Sequence, residues 1–94
     1  MDIEILTAAG FAHCEHPSIG DGALIKKLNV RDMPYVREHM IGENGLAESD
    51  IVYVEVQPHG LVTMGIHATG YFEEAVPTDS EEGRGILRDA GVPV

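Results

Sequence analysis

The chain has 94 residues, of which 44% are hydrophobic and 23% charged, so it is long enough for one domain with a small core. Its 16 acidic residues outweigh 6 basic ones and give a formal net charge of −10. Phosphate groups are bound by clustered lysine and arginine, so this balance argues against nucleic acid and anionic membrane surfaces as partners. The start MDIEIL lacks the basic residues and long apolar core of a signal peptide. We therefore expect a single cytoplasmic domain over residues 1–94, with no membrane span.

The N-terminal third predicts a strand followed by a short helix. Residues 2–8 place apolar side chains on both faces of a two-residue repeat, which is typical of a strand inside a sheet. Residues 21–30 are ambiguous, but Leu24, Ile25 and Leu28 favour a short amphipathic helix.

Residues 31–41 predict a second and better helix. Pro34 suits its first turn, where the missing N–H costs nothing. Apolar side chains then recur at positions i, i+3 and i+7, and Gly42 supplies a left-handed residue that ends the helix.

The stretch 51–68 predicts a β-hairpin. Apolar and polar side chains alternate before and after Pro58-His59-Gly60, a sequence typical of a three-residue turn. A turn of this length pairs Gln57 with Leu61, and both strands then present their apolar side chains on the same face. The remaining apolar pairs are Val56 with Val62, Val54 with Met64, and Val52 with Ile66.

The opposite face of this hairpin is also partly apolar, because it carries Ile51, Tyr53, Leu61 and His67. Tyr53 lies across from Gly65, and an aromatic ring that covers a strand glycine is a stabilising pair. A half-apolar sheet face is a plausible surface for binding another copy of the chain or a protein partner. A symmetric dimer is the commonest oligomer of a small domain.

The C-terminal part predicts a further extended segment and a last helix. Residues 71–76 suit a third antiparallel strand or an extended return. Thr78 begins a capping box with the glutamate three residues later, and Gly91 ends the helix. Gly83 and Gly85 weaken its interior, so either the helix begins late or its glycine side packs closely on another element.

One loop carries groups that bind metal ions. His13, Cys14 and His16 are close in sequence, and imidazole with thiolate suits Zn²⁺, copper or nickel. A fourth ligand is available from Glu15 or from a distant histidine. Two other interpretations are a reactive thiol, because neighbouring histidines lower the pKa of a cysteine, and a solvated loop without a ligand.

Other chemistry has little support in the sequence. A single cysteine excludes an internal disulfide, and no serine stands in a nucleophile-elbow sequence. We expect an α+β fold with a small, mostly antiparallel sheet centred on the hairpin 51–68 and two or three helices on one face. The expected function is protein binding or self-association rather than catalysis, and the alternative is metal or thiol chemistry at the loop 13–16.

Overall fold

An antiparallel five-stranded sheet and three helices form a small α+β fold in the computed structural model, which describes residues 2–13 and 22–94. The strands follow one another across the sheet in chain order, and every neighbouring pair is antiparallel. The strands are β1 (Ala12–His13), β2 (Leu24–Asn29), β3 (Ile51–Gln57), β4 (Leu61–Ile66) and β5 (Val76–Pro77). The helices are α1 (Ile3–Ala8), α2 (Pro34–His39) and α3 (Glu81–Asp89).

The predicted hairpin is confirmed in position and register. Strands β3 and β4 pair from Val52 with Ile66 to Gln57 with Leu61. Gly60 has a φ of 85°, so the glycine supplies the left-handed residue of the turn. The turn geometry and the hydrophobic pattern specify the same register, so the sequence predicted this part of the structure correctly.

All three helices pack on one face of the sheet. The inward side chains of β3 and β4 are at most 2% exposed, and buried side chains of every helix join them in one cluster. From the sheet these are Val52, Val54, Val56, Val62, Met64 and Ile66; from the helices they are Leu6, Val36, Ile86 and Leu87. Among the described residues, none of the helices lies on the other face of the sheet.

The prediction of a strand over residues 2–8 is wrong, because this segment is helix α1. The Asp2 carboxylate accepts the backbone N–H of Glu4 at 2.8 Å and so caps the helix. Only Leu6 of the helix is buried, whereas Ile3 and Ile5 are 46% and 42% exposed. The apolar residues that suggested a doubly buried strand therefore lie largely in solvent.

The prediction of a short helix within residues 21–30 is also wrong, because strand β2 lies in this region. Leu24 and Leu28 face Val56 and Val52 on the inward side, so the true repeat is two residues. Lys26 stands between them on the same side. Because this lysine interrupts the row of apolar side chains, the sequence pattern did not indicate a strand.

Helix α2 is confirmed inside the range predicted for it, with Pro34 in its first turn and Gly42 beyond its end at a φ of 93°. Its N-cap residue, Met33, has no side chain that can cap. The carboxylate of Asp89, at the end of α3, instead accepts the N–H groups of Tyr35 at 3.2 Å and Val36 at 2.9 Å. One helix thus supplies the N-terminal cap of another.

We expect Asp89→Ala to lower the free energy of unfolding by about 1–2 kcal/mol, because two helix N–H groups lose their acceptor. Urea unfolding followed by circular dichroism measures this difference. Glu38→Ala is the control, since Glu38 is an exposed carboxylate on α2. Equal effects of the two substitutions would contradict the capping role of Asp89.

Helix α3 begins at Glu81, and its N-cap is Ser80 rather than Thr78. The Ser80 hydroxyl accepts the N–H of Gly83 at 3.0 Å. The predicted end of the helix is confirmed, because Gly91 follows it with a φ of 92°.

The two glycines inside α3 mark close packing, which confirms one of the two interpretations given above. A β-carbon at Gly83 would lie 2.2 Å from the carbonyl oxygen of Pro77, and one at Gly85 would lie 2.5 Å from the ring of Tyr35. Both residues are buried. Glycine lowers the helix propensity at these two positions, but a larger residue would prevent α3 from lying this close to Pro77 and Tyr35.

The segment after the hairpin returns along β4, as an extended return with a short strand. Tyr71 accepts the N–H of Ile66 through its carbonyl oxygen, and Glu73 donates its N–H to the carbonyl of Met64. Only Val76 and Pro77 form a regular ladder, β5, opposite Val62 and Leu61. This return covers the outer edge of β4.

Candidate functional site

The sheet face opposite the helices is the strongest candidate for a functional surface, and we call it the outer face. It consists of the strand positions of β2, β3 and β4 that alternate with the core positions, together with the ring of Phe72 and the adjoining His67. The strand residues are Ile25, Lys27, Asn29, Ile51, Tyr53, Glu55, Gln57, Leu61, Thr63 and Gly65.

Tyr53 and His67 form the most defined contact of the outer face. The Tyr53 hydroxyl lies 3.0 Å from Nδ1 of His67, and the ring centroids are 5.5 Å apart in an edge-on arrangement. Lys27 lies beside Tyr53 in the register, with its Nζ 6.0 Å from the tyrosine ring centroid. The structure thus brings together two of the predicted interface residues and adds a cation.

The other two predicted interface residues lie at opposite ends of this face. Ile51 is next to His67, because its carbonyl oxygen accepts the histidine N–H at 2.9 Å. Leu61 starts β4 and pairs with Gln57, at the far end of β3. Six strand residues separate the two ends by roughly 20 Å. The four residues therefore share a face without forming a single contiguous cluster, and their role in an interface stays a prediction.

Phe72 covers Gly65, and this contact was not foreseen. A β-carbon at Gly65 would lie 2.6 Å from the Phe72 ring, so the ring occupies the position of the missing side chain. Tyr53 does lie opposite Gly65 in the register, as predicted. Phe72 itself is 39% exposed and extends the apolar part of the outer face. The feature of the sequence that could have indicated this contact is Gly65 itself, because a glycine within a strand often lies under an aromatic ring.

Glu55 is a buried carboxyl group in the middle of the outer face. It is only 6% exposed, between Ile25 on β2 and Thr63 on β4. Burial raises the pKa of the Glu55 carboxyl above its ordinary value, and a hydrogen bond with Gln57 opposes this increase. Ionised Glu55 is therefore costly to the folded monomer at neutral pH.

We expect Glu55→Gln to raise the thermal stability of the dilute protein at pH 7. Because the pKa is higher in the folded state, wild-type stability falls as the pH rises from the unfolded pKa through the folded one. The gain should therefore disappear in acid, where the carboxyl is neutral in both states. Melting temperatures across pH test this, and a gain that persists or grows in acid would contradict it.

The metal and thiol predictions fall mostly outside the residues that the structure describes. Cys14 and His16 are outside the described residues, whereas His13 is an exposed residue of β1. Within 2–13 and 22–94, no three histidine, cysteine, aspartate or glutamate side chains are grouped to hold a metal ion. A zinc site or reactive thiol at the loop 13–16 stays a prediction.

An open groove of about 540 Å³ lies between α2 and α3. Tyr35, Arg88 and Asp89 line it, and the Asp89 carboxylate is already engaged as the cap of α2. Its other described lining residues include Asp32 and Glu38, so carboxylates dominate its polar groups. The outer face is the better candidate.

Comparisons with known proteins give no further guidance on this surface. No protein-family model, curated protein or solved structure matches the chain. Over the described ranges, no helix has the length and apolar character needed to cross a lipid bilayer.

Proposed function

We propose that this protein is a self-associating module whose outer faces pack together in a symmetric dimer. The observation that carries the proposal is that the helices of the described residues, 2–13 and 22–94, all pack on one side of the sheet. All buried helix residues lie on the inner side, while Ile25, Ile51, Tyr53 and Leu61 remain half-buried on the outer side with Phe72 exposed beside them. A second sheet packed on this face would complete the burial of those side chains.

The outer face is the surface at which charge opposes a second copy of the chain least. The chain carries a formal net charge of −10, so two copies repel one another over most of their surfaces. The strand positions of the outer face hold one cation, Lys27, and one carboxylate, Glu55, which is buried. In a two-fold interface each contact of one residue with another is made twice, so a face with one charge of each sign is compatible with self-association.

The size of the outer face favours a reversible dimer. Three strands at a spacing of ~4.8 Å and a length of ~20 Å offer roughly 300–400 Å² in projection. Stable complexes bury about 800 Å² on each partner, so this interface is smaller than theirs and suits a weak, transient dimer. We therefore expect a dissociation constant of about 1–100 μM rather than an obligate dimer.

Sedimentation velocity over a series of protein concentrations tests the proposal. Wild type is expected to shift from monomer to dimer as the concentration rises, whereas Tyr53→Asp stays monomeric because it places an unpaired charge at the centre of the interface. Tyr71→Asp is the matched control, since Tyr71 is 46% exposed and is not one of the strand positions that form the outer face. A wild type that stays monomeric up to about 1 mM would overturn the proposal. Equal dimerisation of the two variants would also overturn it.

A further inference from the structure

We propose that protonation of His67 releases the dimer in mild acid, a regulation that rests on the proposed self-association. His67 adjoins the outer face at the end of β4 and is exposed in the single chain, so solvent reaches its ring. Histidine is the side chain that ordinarily changes charge between pH 5 and 8.

The hydrogen bond with Tyr53 differs between the two charge states. A neutral histidine whose ring proton is on Nε2 accepts from the Tyr53 hydroxyl through Nδ1 across the 3.0 Å contact, and in the other tautomer Nδ1 donates to the tyrosine oxygen. With protonated histidine, both ring nitrogens are donors, so the tyrosine oxygen must accept and its hydroxyl proton must turn away. Protonation therefore removes the tautomer in which Nδ1 accepts from Tyr53, and it adds a positive charge beside the contact.

The charged groups around His67 favour dissociation in acid. Lys27 on β2 and Glu55 on β3 are the charged side chains of the outer face, and β4 contributes none. In a two-fold dimer these charges cancel across the interface until two protonated histidines add to the two lysines. Burial raises the pKa of the Glu55 carboxyl, so its negative charge weakens at a higher pH than that of an exposed carboxylate.

Two further carboxylates near this region already have partners. Asp50, which precedes β3, accepts the N–H of Ala47 through its side chain at 2.8 Å. Glu73, on the return segment, accepts the amide of Asn44 at 2.9 and 3.0 Å. Neither carboxylate is among the outward strand positions that would meet the second copy.

The sign of the effect separates this mechanism from a general charge effect. Protonation of all five histidines would change the formal net charge from −10 to −5 and so reduce repulsion between two copies. That change alone would strengthen association in acid. Charges outside the interface are screened over about 8 Å at physiological ionic strength, whereas charges enclosed in the interface are screened much less. The local effect of His67 therefore dominates, and the dimer weakens.

Sedimentation equilibrium at about pH 7.5 and pH 5.5, at one ionic strength, tests this inference. The dissociation constant of the wild type is expected to rise at least about tenfold in acid. His67→Gln, which is polar but carries no charge at either pH, is expected to keep one affinity at both pH values. His59→Gln is the control, because His59 is exposed in the turn between β3 and β4, and it should behave as wild type.

The outcomes distinguish the inference from the proposed function. A wild-type dimer whose affinity is unchanged or stronger in acid overturns the role of His67 and leaves the dimer in place. The same pH dependence in wild type and His67→Gln does so too. A wild type that is monomeric at pH 7.5 overturns both.

Discussion

Replacement of Gly83 by alanine is expected to lower the free energy of unfolding by about 3 kcal/mol or more. The new β-carbon would lie 2.2 Å from the carbonyl oxygen of Pro77, far inside van der Waals contact. That oxygen has little freedom to move, because it accepts both the N–H of Ser80 at 3.1 Å and the hydroxyl of Ser80 at 2.6 Å. Relief of the overlap would displace the start of α3 from β5.

The result is informative because helix propensity predicts the opposite sign. Glycine to alanine inside an exposed helix stabilises it by about 1 kcal/mol. Urea unfolding of Gly83→Ala measures the sum of the two effects, with Arg84→Ala as the control because Arg84 is exposed on the same helix. Increased stability of Gly83→Ala would show that α3 does not press against the Pro77 carbonyl.

Replacement of Lys26 by methionine is expected to lower the free energy of unfolding by about 2–3 kcal/mol. The Lys26 ammonium donates to the carbonyl oxygens of Ala9 and Ala90, each at 2.7 Å. These residues end α1 and α3, so one cation satisfies the carbonyl ends of two helices and ties both to β2. Methionine keeps most of the side-chain volume but leaves both carbonyls without this donor.

Thermal and urea unfolding of Lys26→Met measure the loss, and Arg31→Met serves as the control for removal of an exposed cation. Hydrogen exchange adds a local test, since the amide protons of both α1 and α3 should lose protection in Lys26→Met. A change confined to one helix, or stability equal to that of the control, would contradict the role of Lys26 as a shared cap.

The hairpin was predictable because every determinant of its register is local. The turn residues, the two-residue repeat and the β-branched side chains all lie within 51–68 and agree with one another. The stop of α3 at Gly91 was readable for the same reason, since one left-handed glycine decides it.

The errors arose where a distant partner determines the role of a residue. Lys26 occupies a core position only because the ends of α1 and α3 meet above it, and no neighbour in sequence indicates this. The cap of α2 comes from Asp89, more than fifty residues away. At the N-terminus, the capping carboxylate of Asp2 was the local sign of a helix, but the apolar pattern after it obscured that sign.

The candidate site was predictable in part for the same physical reason. Alternation along β3 and β4 placed Ile51, Tyr53 and His67 on the side away from the core. The burial of Glu55 and the position of Phe72 depend on β2 and on the return segment. Pairing with strands outside the hairpin determines those contacts, so the hairpin sequence alone did not reveal them.

The most direct test of the outer-face dimer is a nuclear magnetic resonance experiment on a mixture of isotope-labelled and unlabelled protein. An isotope-filtered nuclear Overhauser spectrum at high protein concentration reports only contacts between two copies. We predict cross-peaks from the methyl groups of Ile25, Ile51 and Leu61 to aromatic protons of Tyr53 and Phe72 in the other copy. Intermolecular cross-peaks that involve only helix residues, or none at a concentration where sedimentation shows a dimer, would contradict the account.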